Sequence, residues 1–371
     1  MSLRDDNIRA LAESTLDVLV VGGGVNGAVS AAALSARGAR VGLIDARDFA
    51  GFTSQHSSNL IWGGIKYMES YEFGLVNDLC KARNELMRSY PQNIREIRFL
   101  TTISHGFRHR PITLWAGAWL YWIMGRGFTR IPRLLGASDI HALEPAVNIS
   151  QSIGGTEYSD AYLCDNDARF VFGFVRSAQG YGCLAANYVE ARTFNEEESG
   201  WRIKALDRVS GKEIRIRARC VVNAAGAYVD GLNAAAGIDS SHCHVLSKGI
   251  HLIVPRIGET GRVMAFFADD GRLFFAIPMA NRTCIGTTDT RVDTAVTEVT
   301  DEDRDFVLSN INKRLSLENP LTRDDVISER CGVRPLALAK GADADSDFLQ
   351  LSRKHVLETD SNRKFLSIFG G

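Results

Sequence analysis

The feature that most constrains the fold is a glycine turn between an apolar stretch and a run of small residues near the start of the chain. Residues 17–27 read DVLVVGGGVNG, an alanine-rich stretch follows, and residues 39–45 read ARVGLID. In such a motif Gly22 permits a tight turn, Gly24 lets the backbone approach a pyrophosphate, and Gly27 lets helix and strand pack closely. The start of the helix offers unpaired N–H groups and the positive end of its dipole to phosphates. We therefore expect a Rossmann-like βαβ unit that binds a dinucleotide.

An acidic residue ends the second strand of this unit. Asp45 lies eighteen residues after Gly27, close to the ~20 at which a carboxylate accepts hydrogen bonds from an adenosine ribose. The alternative is that the glycines form a tight strand-to-helix turn without a ligand.

The stretch after Asp45 favours FAD over NAD. Residues 53–67 read TSQHSSNLIWGGIKY. Its hydroxyl groups suit phosphate and ribitol oxygens, and its double glycine lets the backbone lie against a flat ring. A simple NAD domain, which is the alternative, would begin its next strand–helix unit here. A second flavin-type signal is CVVNAAG at residues 220–226, an apolar strand that breaks into a small-residue turn at Gly226.

Composition excludes several other classes of protein. The 371-residue chain has a formal net charge of −1, which gives no support to nucleic-acid binding. The seven cysteines contain no C-x-x-C pair, which is typical of reduced thiols in the cytoplasm. We see no signal-peptide core and no apolar run of the ~18 residues that a membrane span needs. His242 and His244 share one face of a strand, but no third ligand is evident, so no metal is expected.

The motifs, taken in order, resemble those of the FAD-dependent glycerol-3-phosphate dehydrogenases and oxidases, within the D-amino-acid-oxidase-like flavoproteins. The similar segments are residues 22–27, 53–67, 71–76, 157–169, 222–226, 248–255, 285–289, 332–336 and 365–371. The resemblance implies that sn-glycerol 3-phosphate is oxidised to dihydroxyacetone phosphate by hydride transfer to FAD, with electrons passed to a quinone or another acceptor. It leaves the oligomeric state open. The residues expected to contact the cofactor are Gly22, Gly24, Gly27, Asp45, Thr53, Ser54, Ser58, Asn59, Gly63, Gly64, Gly226, Gly370 and Gly371.

Two pocket positions and the end of the sequence depart from this family. The family reads Leu-Ile-His-Gly-Gly and then arginine and tyrosine, whereas here Trp62 replaces the histidine and Lys66 the arginine. The family also continues beyond Gly371 with a lysine, two threonines and a helical region, so the resemblance implies a truncated chain. Two alternatives follow: a related enzyme for another hydroxy acid, polyol or amine, and a catalytically inactive flavoprotein fragment.

Four residues are candidates for the chemistry. Arg334, in a Gly-Val-Arg-Pro turn, is expected to bind the substrate phosphate because a guanidinium can hold an oxyanion through two hydrogen bonds. Its alternative is a salt bridge to Glu329. With Trp62 unable to accept a proton, His251 is the expected base, unless it is a half-buried histidine bonded to the backbone. Tyr67 and Lys66 are expected to orient the substrate, with Tyr67 as a core aromatic residue as the alternative.

A tryptophan-rich stretch suggests contact with a membrane surface. Trp115, Trp119 and Trp122 follow the i, i+4, i+7 spacing of one helix face, and arginines flank the run on both sides. Such a helix suits the interface of an anionic membrane, so we expect a cytoplasmic protein that is peripheral on the inner face of the cell membrane. The alternative is a buried helix whose neighbouring arginines are solvated.

The motif order predicts an α/β fold (α+β overall) in which a Rossmann-like FAD-binding domain is interleaved with a substrate domain built on an antiparallel sheet. The FAD domain is assigned residues 1–70, 146–235 and 329–371, and the substrate domain residues 71–145 and 236–328. Antiparallel strands are expected at residues 262–267, 272–278 and 283–286, and a helix with an acidic first turn from Asp301.

Overall fold

The computed structural model describes residues 2–268, 271–342 and 354–370. The α-helices are α1 (Leu3–Glu13), α2 (Val25–Ser35), α3 (Phe73–Ser89), α4 (Pro111–Met124), α5 (Ala137–Leu143), α6 (Asp167–Gly180), α7 (Val229–Ala235) and α8 (Asp301–Arg314). The strands are β1 (Thr15–Val21), β2 (Val41–Ile44), β3 (Leu60–Ile61), β4 (Ile94–Ser104), β5 (Arg133–Leu135), β6 (Ser152–Leu163), β7 (Leu184–Ala186), β8 (Val189–Glu197), β9 (Gly200–Asp207), β10 (Glu213–Asn223), β11 (His242–Pro255), β12 (Val263–Phe267), β13 (Leu273–Met279), β14 (Arg282–Gly286), β15 (Thr290–Val292), β16 (Ser328–Ala339), β17 (Val356–Asp360) and β18 (Phe365–Phe369).

The first sheet is built on parallel strands in the order β18-β10-β1-β2-β7. β17 adds antiparallel to β18, while β9 and then β8 extend antiparallel from the other end of β10. β1 and β2 are apolar on both faces, as parallel strands covered on both sides are. Val20 packs with α2 and α6 on one face, and Leu19 and Val21 pack towards α1 on the other.

The second sheet has the order β15-β11-β14-β13-β12-β4-β6-β3, with β16 paired to β11 and β5 to β6. All of these pairs are antiparallel except β12 with β4. Ile250 and Leu252 of β11 face a core completed by α5 and α8, whereas Ile253 faces a core completed by α3 and α4. Residues of both sheets line a cavity beside the end of β1, among them Val21 of β1 and Gly332 of β16.

The predicted α/β class, with a Rossmann-like unit beside an antiparallel sheet, is confirmed. The three predicted strands are β12, β13 and β14, and the predicted helix is α8, capped by Thr300 and Asp303. The assigned domain limits differ from the sheets in three places. β3 pairs with β6 and so lies in the second sheet, although residues 1–70 are assigned to the FAD domain. β6 and β16 belong to the second sheet because they pair along their length with β4 and β11, although the sequence ranges place them with the FAD domain.

Candidate functional site

A cavity of about 690 Å³ opens beside the glycine turn that follows β1. Seven of the predicted cofactor residues line it: Gly22, Gly24, Asp45, Thr53, Ser54, Gly226 and Gly370. Gly371 lies outside the described residues. Residues after β1, β2 and β10 converge there because the carboxyl ends of these parallel strands lie at one edge of the sheet, which is where α/β folds bind nucleotides.

Two of the fingerprint glycines are required by packing. Gly22 has φ +106°, and a Cβ on it would lie 2.5 Å from the carbonyl oxygen of Ala224. A Cβ on Gly27 would lie 1.8 Å from the carbonyl oxygen of Gly22, so only glycine lets α2 pass this close to the turn. Gly24 is different, because a Cβ on it would have only one close neighbour, the hydroxyl of Ser54 at 3.2 Å. Its missing side chain leaves the start of α2 open towards the cavity.

Asp45 holds the glycine turn and lines the cavity. One carboxylate oxygen accepts the N–H of Gly23 at 2.7 Å, and the other accepts the N–H of Arg47 at 2.8 Å. Burial raises the pKa of Asp45 despite these two hydrogen bonds. Each oxygen keeps a second lone pair, so the carboxylate can still accept a ribose hydroxyl from the cavity side.

The hydroxyl-rich loop after β2 is attached to helices α2 and α6 and to β16 of the second sheet. Ser54 accepts the N–H of Val25 at 3.0 Å, and Thr53 donates to the carbonyl of Val333 at 2.6 Å. Further along, Ser57 donates to Asp167, and Arg330 donates to the carbonyl of Ser57 at 2.7 Å. The predicted contacts Ser58 and Asn59 do not line the cavity. Asn59 is buried and accepts from Arg330 at 3.3 Å, so it helps to hold the loop.

Gly63 and Gly64 lie outside the cavity lining, over a buried ionic cluster that the sequence analysis missed. One oxygen of Asp160 accepts from Arg83 at 2.6 Å, from Tyr121 at 2.6 Å and from the N–H of Gly63 at 3.1 Å. Arg83 is 1% and Asp160 0% exposed. The available signal was a charged residue on the buried stripe of an amphipathic helix (α3) and another inside an otherwise buried strand (β6), since charges in such places are paired.

Two hydrogen bonds hold the backbone of Gly370 at the edge of the cavity. Its carbonyl accepts from the amide of Asn26 at 3.1 Å, and its N–H donates to Nε2 of His244 at 3.1 Å. His244 in turn pairs with Asp230 at 3.0 Å. His244 therefore positions backbone at the cofactor cavity, and His242 pairs separately with Glu358.

The second sheet carries a strongly basic face, of which only Gly332 lines the cavity. Arg330, Gly332 and Arg334 alternate along β16 and so share one face, and their partners across the pairing with β11 are His251, Gly249 and Ser247. We call these six residues the β16–β11 face. Arg334 lies across Gly249, donates to Thr287 at 3.0 Å and to the carbonyl of Thr288 at 3.3 Å, and lies 3.7 Å from Asp289. Glu329, its sequence-based alternative partner, instead binds Arg304.

His251 lies within this face but not in the cavity lining. It is 4% exposed, and its Nδ1 has no hydrogen-bond partner among the described residues. Burial and the charges of Arg334 and Arg330 lower the pKa of His251 to about 3. It is therefore uncharged at neutral pH and a weak base.

The other two candidates, Lys66 and Tyr67, lie on the 3₁₀ helix Ile65–Met68 and do not line the cavity. The ring of Trp62 lies 5.9 Å from that of Tyr67 and 6.5 Å from that of Phe275, between ring centroids. Phe275 is the cross-strand neighbour of Gly286, which precedes the Thr287 that binds Arg334. Trp62 therefore packs between Tyr67 and Phe275, and the strand after Phe275 precedes the segment that binds Arg334.

The cavity fits FAD by several independent features. Its lining includes the open start of α2 and the carboxylate of Asp45, which can accept a ribose hydroxyl. It also includes the hydroxyl groups of Thr53 and Ser54 and the backbone of Gly226. Residues 17–357 match the family model described as DAO, FAD dependent oxidoreductase. The chain belongs to this family and is an FAD-dependent oxidoreductase.

Within the family the chain is similar to enzymes of glycerol 3-phosphate. It is 32% identical to a glycerol-3-phosphate dehydrogenase of Pseudomonas tolaasii, over 96% of this chain and 68% of that protein. It is 30% identical to an alpha-glycerophosphate oxidase of Streptococcus pneumoniae, over 91% of this chain and 57% of that protein. The structure of the glycerol-3-phosphate dehydrogenase from Bacillus halodurans complexed with FAD matches with a TM-score of 0.77 and 29% identity, covering 99% of this chain and 63% of that one. The chain thus spans about three fifths to two thirds of the length of these relatives.

Proposed function

We propose that the protein oxidises sn-glycerol 3-phosphate to dihydroxyacetone phosphate and passes the electrons to a quinone or another acceptor. The observation that carries this proposal is the β16–β11 face, where two guanidinium groups lie on a sheet that borders the cofactor cavity. A phosphorylated substrate needs fixed cations of this kind, and the curated relatives named for glycerol 3-phosphate support the choice.

The chain's own groups divide between cofactor and substrate. Gly22, Gly24 and Ser54 at the start of α2 would hold the pyrophosphate, and Asp45 the adenosine ribose. When bound, FAD supplies the hydride acceptor. Arg334 keeps 33% of its side chain exposed while donating to the Thr287–Thr288 segment, and its guanidinium is proposed to bind the substrate phosphate.

Lys66 and Tyr67 are also proposed to orient the substrate. They lie on a short 3₁₀ helix, Ile65–Met68, directly after the double glycine. The ring of Tyr67 covers Gly64 so closely that a Cβ there would lie 2.6 Å from it. The buried Asp160 cluster, which holds the N–H of Gly63, fixes where this helix begins.

Trp62 favours a second candidate: the same flavin chemistry on another hydroxy acid, polyol or amine. Its indole packs between Tyr67 and Phe275, and it brings neither a base nor a phosphate ligand. The variant Trp62→His separates the two candidates. If the pocket is built for glycerol 3-phosphate, restoring the imidazole should raise or preserve kcat/KM for it, whereas a pocket built for another substrate should lose activity on that substrate.

We also propose that α4 meets an anionic membrane surface, although through different residues from those expected. Trp115, Trp119 and Trp122 are half-buried and pack edge to face on one another. The exposed apolar side chains on α4 are Ile112 (58%), Leu120 (43%) and Ile123 (60%). Exposed arginines surround them at positions 108, 110, 126, 130 and 133. Within the described residues no helix is both long and apolar enough to cross a bilayer.

Vesicle co-sedimentation tests the membrane proposal. The protein should bind vesicles that contain phosphatidylglycerol more strongly than vesicles of phosphatidylcholine alone, and Leu120→Asp with Ile123→Asp should abolish the difference. The matched control is Val209→Asp, which changes an exposed apolar side chain in the turn between β9 and β10. Equal binding by the α4 variant and the wild type would contradict the proposal.

Anaerobic flavin reduction tests the reaction itself. Protein loaded with FAD is mixed with glycerol 3-phosphate, glycerol, lactate or sarcosine, and the rate of flavin bleaching is measured. Fastest reduction by glycerol 3-phosphate supports the first candidate, and fastest reduction by another compound supports the second. Bound flavin that none of these compounds reduces would favour the catalytically inactive form.

A further inference from the structure

We propose that His56 accepts the hydroxyl proton during substrate oxidation. This inference rests on the proposed function, since it assigns a role within that reaction. The replacement of the family histidine by Trp62 makes His251 the base expected from the sequence. The structure instead brings a different imidazole to the cavity, on the loop that follows β2.

The position of His56 in the cavity supports this role. His56 lines the cofactor cavity, whereas His251 lies behind it in the second sheet. The loop around His56 is fixed on both sides, by the Thr53–Val333 hydrogen bond at 2.6 Å and by the Arg330–Ser57 hydrogen bond at 2.7 Å. The imidazole is therefore held against the cofactor cavity.

His56 also lies against the β16–β11 face. Cβ of His56 lies so near Gly332 that a Cβ added to this glycine would be 3.0 Å away. Gly332 stands between Arg330 and Arg334 on one face of β16, so the loop rests on the strand between the two guanidinium groups. A phosphate bound by Arg334 would bring the adjoining carbinol towards this imidazole.

The protonation state of the His56 imidazole also suits a base. Burial, together with the charge of Arg330, lowers the pKa of His56 below its ordinary value, so the ring is neutral near pH 7 and able to accept a proton. Its Nδ1 is buried without a hydrogen-bond partner among the described residues, which leaves Nε2 as the nitrogen that can meet a ligand. The titratable and charged groups on the elements packed around the loop are Asp167 on α6, His251 on β11, and Arg330, Cys331 and Arg334 on β16.

The proton and electron balance is that of an alcohol oxidation. The carbinol O–H bond breaks and its proton passes to Nε2 of His56. The electron pair of that bond forms the carbonyl double bond as the carbinol carbon loses a hydride to the bound cofactor. The imidazolium then releases the proton to solvent after the product leaves, which restores the neutral ring.

The variant His56→Gln tests the assignment, with His141→Gln as the control because His141 is an exposed histidine on α5. Removing a general base costs about 10²- to 10⁴-fold in rate. We expect anaerobic flavin reduction by glycerol 3-phosphate to slow by that factor in His56→Gln, and its rise with pH below about 6.5 to disappear. We expect the affinity for FAD to stay within about threefold, which shows that the loop still folds. Reduction within tenfold of wild type, with the same pH profile, would overturn the proposal.

A second readout needs no substrate and no turnover. In cofactor-free protein carrying ¹³C-labelled histidine, the NMR signal that His56→Gln removes should titrate below the ordinary value of about 6.5. A signal that titrates above about 7 would overturn the proposal, because such a ring is protonated when it must accept a proton. If glycerol 3-phosphate fails to reduce wild-type flavin, the proposed function fails while the NMR titration still decides the state of His56.

Discussion

Replacing Arg83 with methionine should destabilise the protein more than any surface arginine does. Arg83 and Asp160 are both buried, and their atoms lie 2.6 Å apart. Methionine fills a similar volume but leaves the carboxylate of Asp160 buried without its cation. Breaking a buried pair in this way costs about 3–5 kcal/mol, which is a large share of the roughly 5–15 kcal/mol that holds a typical domain folded.

The cluster allows the cost to be divided among its members. Tyr121→Phe removes the hydrogen bond that the hydroxyl donates to Asp160 and the one that it accepts from Arg83 at 3.0 Å, and should cost at least about 1.5–3 kcal/mol. The double variant Arg83→Met with Asp160→Leu removes both charges, so it should cost less than the sum of its two single variants. Because the cluster holds the N–H of Gly63 at 3.1 Å, all of these variants should also shift the 3₁₀ helix Ile65–Met68 that follows it.

The assay is equilibrium urea unfolding followed by tryptophan fluorescence at a fixed FAD concentration, with the visible flavin spectrum recorded on each variant. The control is Arg169→Met, which removes an exposed pair with Asp165 at 3.0 Å and should cost about 0–1 kcal/mol. If Arg83→Met costs no more than this control, the reasoning about the buried cluster is refuted.

Three further predictions concern the cofactor, the substrate and acid stability. Gly24→Val should abolish FAD retention, measured as flavin per folded protein, whereas Gly74→Val, which meets no atom within 4 Å, should retain it. Arg334→Ala should raise KM for glycerol 3-phosphate far more than for glycerol, and equal effects would remove its phosphate role. Although burial opposes it, Arg98 and Arg262 hold the pKa of Glu157 at about 2, against an ordinary 4.5. Its contribution of about 3 kcal/mol is full above about pH 4.5 and is lost as the pH falls towards 2. Glu157→Gln should therefore flatten acid unfolding across that window, and an unchanged slope would count against this.

The nucleotide half of the site was predictable because its signals are local. The turn at Gly22, the start of α2 and the acid at the end of β2 lie within 30 residues of one another, and each has a requirement for one residue type. The packing confirms two of these requirements directly, at Gly22 and Gly27. The antiparallel strands β12 to β14 were predictable for the same reason, since short apolar runs separated by polar turns indicate them.

The rest depends on pairings between distant parts of the chain. Asp160 and Arg83 are 77 residues apart, and neither spacing nor composition indicates that they meet beneath Gly63. Likewise, His56 reaches Gly332 because the loop after β2 docks on β16. The sequence assigned β16 to the FAD domain, whereas its pairing with β11 places it in the second sheet. The predicted roles of His251, Lys66 and Tyr67 remain predictions, with the location of each now defined.

The central claim is that this chain couples oxidation of glycerol 3-phosphate to reduction of its own FAD. Its most direct test is an anaerobic single turnover, in which bleached flavin and dihydroxyacetone phosphate are quantified in the same sample. The account predicts one molecule of dihydroxyacetone phosphate for each flavin reduced. Flavin that stays oxidised, or that bleaches without formation of dihydroxyacetone phosphate, would contradict it.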